Sequence, residues 1–234
     1  MPIQAAIIAG GQGQRMRAVS DVPKVMLPVG GKPILEHQIE WLKKYGFSDV
    51  FLCLGYKADV VRSHFGDGSK WGVQLTYRIE ETARGTAGAV ADLAPSLLGD
   101  LLIVYGDLFL QMDCARLLAE HGRHDGLATL VVRRTEHPHD SDLVMADPEG
   151  RIRAIGRLRD GQVSGDLGCA AVWVVRRELL ARVPADRPSD FGREIFPQAV
   201  ADGEKLMAYR TEEPVLDIGT PVRYEAFCRA YDLQ

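Results

Sequence analysis

The stretch Ile3-Gln4-Ala5-Ala6-Ile7-Ile8-Ala9-Gly10-Gly11-Gln12-Gly13 decides the fold class. Its nearly unbroken apolar run stops abruptly at glycine, which is how a strand buried on both faces feeds a loop. A half-solvated strand would alternate polar and apolar residues, and an amphipathic helix would need a longer periodic run. The segment is therefore read as a strand at the edge of a parallel sheet.

Outward from it, Pro33 precedes Ile34, Leu35, Gln38, Ile39, Leu42 and Tyr45 at helical spacing, with Gly46 as the stop. That pattern predicts a capped amphipathic helix. Residues 50–54, 73–79 and 101–105 read as strands, 58–65 as a helix and 86–98 as a partly helical crossover. Strands alternating with helices imply right-handed crossovers, hence a Rossmann-like α/β fold whose mixed, mostly parallel sheet has helices on both faces. Past about Gly126 the texture changes to strand-like runs at 128–132, 143–146, 151–155 and 168–175, with 147–150 as a hairpin turn. These predict a small β excursion or an extension of the same sheet. Helices at 191–201 and 221–231 follow, and no linker divides the 234 residues, so a single domain is expected.

Composition limits the partners. The 28 basic residues against 32 acidic ones give a net charge of −4, which excludes a strongly basic nucleic-acid binder. Apolar residues at 46% and charged residues at 26% remove collagen-like, disordered and coiled-coil readings. Cys53, Cys114, Cys169 and Cys228 lie too far apart for zinc or redox motifs and read as reduced, mostly buried thiols. No apolar run reaches roughly 18 residues, and the first residues lack a basic leader with a cleavage site. A cytoplasmic enzyme without a membrane partner is expected.

Gly10, Gly11 and Gly13 allow backbone N–H groups to converge on a phosphate without Cβ obstruction, and Arg15 and Pro23-Lys24 add two cations. The dinucleotide fingerprint fails because Met16 stands where a third glycine belongs, and the Walker pattern fails because Pro33 follows Gly31-Lys32. A tight strand-to-helix connection is the alternative meaning of the glycines alone. Tyr105-Gly106-Asp107 closes a predicted buried strand, the place where ligands gather in open α/β sheets.

Together, Gly10-Gly11-Gln12-Gly13-Gln14-Arg15 and Pro23-Lys24 resemble the Gly-Gly-x-Gly-x-Arg and Pro-Lys motifs of the sugar-1-phosphate nucleotidyltransferases, with Gln14 in place of the usual Thr. Gly30-Gly31-Lys32-Pro33-Ile34-Leu35 is similar to that family's Lys-Pro-Ile/Leu helix start, and Leu216-Asp217-Ile218-Gly219-Thr220-Pro221 to its late Asp-x-Gly-Thr metal motif. The resemblance spans most of the chain and is strongest in residues 1–107 and around Asp217. It implies one nucleotidyltransferase domain, with a nucleotide-binding half at 1–125 and a sugar-phosphate-binding half at 126–234. No carboxy-terminal β-helix is expected.

The resemblance further implies that Asp107 and Asp217 hold Mg²⁺, an ion that takes one or two carboxylates plus substrate phosphate oxygens. Either acid alone would be an ordinary loop or capping residue. Arg15, Lys24 and Asp107 form the implied catalytic set, and Ala9, Gly10, Gly11, Gly13, Glu80, Gly85 and Thr86 the implied nucleotide-binding set. Arg84-Gly85-Thr86-Ala87-Gly88 resembles the family's Leu-Gly-Thr-Ala/Gly-Gly segment beside the nucleobase. Guanine offers a carboxylate two parallel N–H donors where uracil and thymine offer one, so Glu80, or its neighbour Glu81, favours GTP.

On the sugar side the implied residues are Asp142, Arg157, Gly168 and Asp190. Residues 137–142 and Asp190-Phe191-Gly192-Arg193 look like segments of mannose- and heptose-1-phosphate guanylyltransferases. Two departures stand out: Cys169 replaces the asparagine of the family's Asn-Ala-Gly/Ala strand, and Gly156-Arg157 replaces its Glu-Lys pair. The implied reaction moves a nucleoside monophosphate from an NTP to a heptose- or mannose-type sugar-1-phosphate, releasing pyrophosphate. Uridylyl, thymidylyl or cytidylyl transfer to another acceptor, such as N-acetylmuramate-1-phosphate or a pseudo-sugar phosphate, stays open. So does a non-catalytic nucleotide-sugar-binding regulator. The expected partners are small-molecule substrates, and monomer and dimer are both compatible with the sequence.

Overall fold

The computed structural model describes residues 3–11, 13, 16, 22–135, 137–158, 161, 163–231 and 233. The chain begins with β1 (Ile3–Ala9), the short strands β2 (Pro28–Val29) and β3 (Lys32–Pro33), helix α1 (Ile34–Lys44), β4 (Asp49–Leu54), α2 (Ala58–Phe65) and β5 (Gln74–Ile79). Next come α3 (Gly85–Ala91), β6 (Asp100–Tyr105), β7 (Leu108–Leu110) and α4 (Cys114–Gly122). The remainder holds β8 (Ala128–Arg134), β9 (Leu143–Ala146), β10 (Ile152–Gly156), β11 (Leu167–Val175), α5 (Arg177–Leu180), α6 (Phe196–Ala201), β12 (Leu206–Arg210), β13 (Val215–Asp217) and α7 (Pro221–Tyr231). The class is α/β, as the alternation of apolar runs and helical periods predicts.

Contacts divide the chain into two compact units. One comprises Gln4–Ala83, Val104–Met112 and Pro214–Gln234. In it β1 pairs in parallel with β4, from Ala5↔Val50 to Ala9↔Leu54, and β4 pairs in parallel with β5. On the side away from β4, Ile8 O of β1 accepts from Gly106 N–H at 2.9 Å, so β1 is bonded on both sides and the expectation of a sheet edge is corrected. The sequence could not show this: the apolar run reports that the faces of β1 are covered, Ala5, Ala6 and Ile7 being wholly buried, whereas its lateral neighbours come from segments remote in sequence. Helix α1 buries Ile34, Leu35, Ile39 and Leu42, carries Glu36 in its first turn and Lys43 and Lys44 in its last, and so agrees with the helix dipole at both ends.

Distant segments complete this unit. β7 and β13 pair antiparallel, Leu110 opposite Val215 and Leu108 opposite Asp217. Met16, Leu27, Val29, Ile34, Phe109 and Ile218 form a buried cluster onto which α7 lays Tyr224, Phe227, Cys228 and Tyr231. The Phe109 and Phe227 rings stand 4.7 Å apart, and Tyr224 donates its hydroxyl to Pro28 O at 2.6 Å. Removing Phe109 would cost roughly 3–5 kcal/mol, the usual penalty for a buried aromatic cut to alanine.

The other unit comprises Met1–Ile3, Arg84–Ile103 and Asp113–Glu213. Here β11 pairs antiparallel with β8 and β9, β9 with β10, and β12 joins β8 in parallel. The β9–β10 hairpin turns at Asp147–Gly150, where Gly150 at φ 84° returns its N–H to Asp147 O at 3.0 Å. The helix expected across 191–201 is a π-helical turn at Phe191–Ile195 running into α6. α4 starts at Asp113, whose carboxylate accepts from the N–H groups of Ala115 and Arg116. All four cysteines are free thiols. Among the described residues no helix is long and apolar enough to cross a membrane.

A buried polar chain crosses this unit. Gly126 N–H donates to His124 Nδ1 at 3.0 Å, which leaves the His124 proton on Nε2 to reach Thr129 Oγ1 at 2.9 Å. The Thr129 hydroxyl then gives its own hydrogen to His121 Nδ1 at 2.7 Å, so His121 carries its proton on Nε2, 3.3 Å from Asp100 Oδ2. Burial holds the His121 imidazole down to about 4; Asp100 opposes this, while Arg176 and His124 reinforce it. Between pH 6.5 and about 4 the unfolded chain therefore takes up a proton that the native state refuses. Stability from this group is complete above pH 6.5 and falls on acidification, by about 1.4 kcal/mol per pH unit. Urea unfolding midpoints measured from pH 7 to 4.5 are expected to drop more steeply in the wild type than in His121→Gln, and equal slopes would show that His121 is not the titrating group.

Candidate active site

Asp107 sits in the turn between β6 and β7, and several contacts fix it there. Gly106 donates its N–H to Ile8 O at 2.9 Å. A Cβ at 106 would lie 2.7 Å from Val25 Cγ1 and 3.0 Å from Ile8 O, so only glycine allows this turn to rest on the end of β1. From α1, the fully buried Gln38 donates its amide to Tyr105 O at 2.8 Å and Leu108 O at 2.7 Å, bracketing Asp107. Asp107 O in turn accepts from Ile218 N–H at 3.1 Å, which ties the turn to the segment carrying Asp217.

Lys24, in a 3-10 turn begun by Pro23, donates Nζ to Asp107 Oδ2 at 2.5 Å. Asp217 closes β13; its Oδ1 accepts from Gly219 N–H at 2.7 Å, and its Oδ2 pairs with Arg223 of α7. Gly219 shows how tightly these groups converge. A Cβ built there would lie 2.6 Å from Asp107 Oδ2, 2.7 Å from Asp217 Oδ1 and closer still to Lys24 Nζ. The two acids, 110 positions apart in sequence, thus meet the early lysine around one side-chain-free volume.

The glycine loop belongs to the same unit. A Cβ at Gly10 would come 3.3 Å from Glu80 Oε2, and Gly55 approaches so closely that its own Cβ would lie 2.6 Å from Gly10 O. Glu80 therefore stands beside the end of β1, its N–H bonded to Leu54 O at 2.9 Å. Ala9 ends β1. Gly13 adopts φ 56° with Lys24 Cβ 3.6 Å from its would-be Cβ, while Gly11 faces open space. Arg15 lies outside the described residues.

A second cluster gathers the other implied residues. Arg157 donates Nε to Asp142 Oδ1 at 2.8 Å, and Asp142 O accepts from Cys169 N–H at 2.8 Å. Asp142 also presses on Gly192, where a Cβ would overlap its carboxylate. Asp190 accepts from the Thr86 hydroxyl at 2.8 Å and from Arg193 N–H at 3.0 Å. Gly168 admits Thr135 and Ser141, whose side-chain carbons would stand 3.1–3.3 Å from its Cβ. Gly85, at φ 75°, is required by the backbone of Ser189 packed against it. Gly85 and Thr86 thus join Asp190 in one cluster, and Arg84 pairs with Asp92 at 2.6 Å.

Cys169 joins this group through its N–H bond to Asp142 O. Burial pushes its thiol up to about 11 against the opposing pull of hydrogen bonds, including Trp173 Nε1 at 2.9 Å from Sγ. The pairing of β11 with β8 slips between Cys169 and Trp173, and Ala171 there holds φ 55°, a bulge that re-aims the neighbouring side chains.

Sequence reasoning missed Gln38, Gly106, Gly192, Gly219 and Arg223 as site-forming residues. Gln38 carried a signal: it is a polar residue on the apolar face of a predicted helix. Gly192 and Gly219 lay within motifs already quoted, but nothing in them told why a side chain is forbidden there, because the atoms that forbid it come from distant segments.

A model of the nucleotidyl transferase family matches residues 4–232. The chain is 33% identical over 222 residues to mannose-1-phosphate guanylyltransferase of Mycobacterium tuberculosis, covering 94% of this chain and 62% of that protein. It therefore spans about three-fifths of the length of that relative. It is 35% identical over 234 residues to D-glycero-alpha-D-manno-heptose 1-phosphate guanylyltransferase of Campylobacter jejuni, covering 96% of this chain and 98% of the relative. The crystal structure of HddC from Yersinia pseudotuberculosis complexed with GMP-PN matches the fold with a TM-score of 0.81 at 21% identity, over 99% of this chain and 100% of that one.

Gln38→Leu removes both amide hydrogen bonds that bracket Asp107. A loss of roughly 1–3 kcal/mol in unfolding free energy is expected from chemical denaturation, the range for two net hydrogen bonds. An unchanged denaturation midpoint would show that Gln38 does not support the turn.

Proposed function

Because this chain belongs to the nucleotidyl transferase family, we propose that it transfers a nucleoside monophosphate from GTP to a heptose- or mannose-type sugar-1-phosphate, releasing pyrophosphate and forming a nucleotide sugar. The observation that carries this reading is the convergence of Lys24, Asp107 and Asp217 around the side-chain-free volume at Gly219. The match along 98% of a heptose-1-phosphate guanylyltransferase favours a heptose-type acceptor.

The attacking group is itself an anion. A phosphate monoester has a second pKa of about 6, so at neutral pH it attacks without a dedicated general base. The chain's task is to position two mutually repelling phosphates and offset their charge. Lys24 carries the cation between the acids and the reacting phosphates. Arg15 and the amides of Gly10, Gly11 and Gly13 take the triphosphate and the departing pyrophosphate, in a loop that lacks Cβ obstruction. Glu80, beside Gly10, accepts the two Watson–Crick-edge donors of guanine. Arg157, its planar fork steadied by Asp142, meets the sugar phosphate, with Gly168 and Asp190 shaping the sugar side.

Asp107 and Asp217 suit a hard divalent ion. Their donors are oxygens, and both carboxylates come within 2.7 Å of the one point where a Cβ at 219 would lie. Among the described residues no group of three or more His, Cys, Asp or Glu could hold a metal, so these two acids fit Mg²⁺ completed by phosphate oxygens better than a full protein cage. When bound, Mg²⁺ supplies charge neutralisation on the phosphates.

The test is pyrophosphate release from GTP, UTP, dTTP, CTP and ATP with heptose-1-phosphate and mannose-1-phosphate, with Mg²⁺ and after chelation. GTP is expected to be fastest and chelation to abolish release. A faster pyrimidine nucleotide rejects the role of Glu80, and nucleotide binding without turnover turns the reading to a regulatory protein. Lys24→Ala and Asp107→Ala are each expected to lower kcat about 10²-fold or more, as loss of a preorganised charge does, and Gly219→Ala comparably, because its Cβ would push these groups apart. Near-normal rates in these variants would remove the assigned centre.

A further inference from the structure

Each of the two carboxylates has its own basic partner, and the two pairs differ. Lys24 and Asp107 are 17% and 27% exposed, whereas Arg223 and Asp217 are 33% and 48% exposed. The second pair is the more solvated and hence the weaker. Asp217 does not need Arg223 for its orientation, because Oδ1 is held by Gly219 N–H at 2.7 Å. Oδ2 is the oxygen that Arg223 occupies.

Nothing in α7 itself explains a cation at this position. Arg223 lies in the first turn, where Thr220 Oγ1 accepts its N–H at 3.4 Å and Thr220 O accepts Tyr224 N–H at 2.8 Å. A positive side chain there opposes the helix dipole. Asp217 is therefore the interaction that accounts for the guanidinium's placement. A guanidinium and a hard divalent ion seek the same carboxylate lone pairs, and one oxygen cannot serve both at full strength.

We propose that Arg223 is a resident counter-cation of Asp217 which a divalent ion must displace, so that Arg223 sets the ion concentration at which the site fills. This rests on the reading of Asp107 and Asp217 as the metal-holding pair. Displacement also frees a guanidinium within reach of the carboxylate that carried it, available to a phosphate oxygen once the ion has taken its place.

The experiment is an equilibrium titration of the substrate-free protein with Mn²⁺, free ion being read by electron paramagnetic resonance. Arg223→Gln and Arg223→Ala are expected to bind Mn²⁺ about two- to five-fold more tightly than the wild type, the scale of an exposed ion pair. Arg223→Lys should stay near the wild type, and the gain in the neutral variants should shrink as salt rises from low to high ionic strength. Asp217→Asn should lose the binding in every background. Equal or weaker affinity in both neutral variants, with binding still dependent on Asp217, overturns the role of Arg223 and leaves the metal pair standing. Absence of Asp217-dependent Mn²⁺ binding in all the proteins overturns the metal pair and, with it, this inference.

Discussion

Like charges must be held close together where Asp107 meets Asp217, and that constraint organises the rest. Asp107 and Asp217 repel, yet both crowd the position a side chain at 219 would take, so each is compensated locally by a cation and by a fixed hydrogen bond. The scaffold answers with rigid supports: a buried amide on α1, a glycine at 106 and a three-residue strand pair. The aromatic cluster under α7 then anchors the segment that brings Asp217 to Asp107. None of these supports touches a substrate oxygen in the proposed reaction. Their role is to keep the charges where solvent alone would let them drift apart.

The second cluster follows the same logic with different partners. Asp142 and Arg157 satisfy one another, Asp190 is taken up by Thr86 and a helix-start N–H, and Cys169 stays a protonated thiol among acids. In the proposed reaction a sugar phosphate would compete at Arg157 with the Asp142 carboxylate, which favours ligands of high negative charge over neutral sugars. The thiol in place of the family's asparagine offers a weaker hydrogen bond, and the bulge at Ala171 changes what the strand presents beside it.

How much of this was legible in the sequence depended on how local the cause was. β1, α2 and α7 follow from apolar runs, helical spacing, proline and glycine, and their limits agree with the expectation to within a residue or two. The edge position assigned to β1 was wrong because neighbours in a sheet are set by pairing with remote strands. β7 and β13 have three residues each, too few for any periodicity to register, although they bring Asp217 to Asp107. Motif likeness implied Lys24, Asp107 and Asp217 and a common ion for the two acids, but not the close packing by which they meet. The exclusion of a side chain at 219 comes from atoms of residues 24, 107 and 217 together.

The order in which the chain is made adds a consequence. The unit that gathers Lys24, Asp107 and Asp217 is assembled from three stretches, the last beginning at Pro214. During synthesis from the amino terminus, the lysine and the first acid emerge long before their third companion and the helix that anchors it. A nascent chain therefore has no completed charge centre until Asp217 and α7 have left the ribosome. Long-range closure of this kind also slows folding relative to a locally wired domain, because residues 24, 107 and 217 must find each other before their contacts give any return.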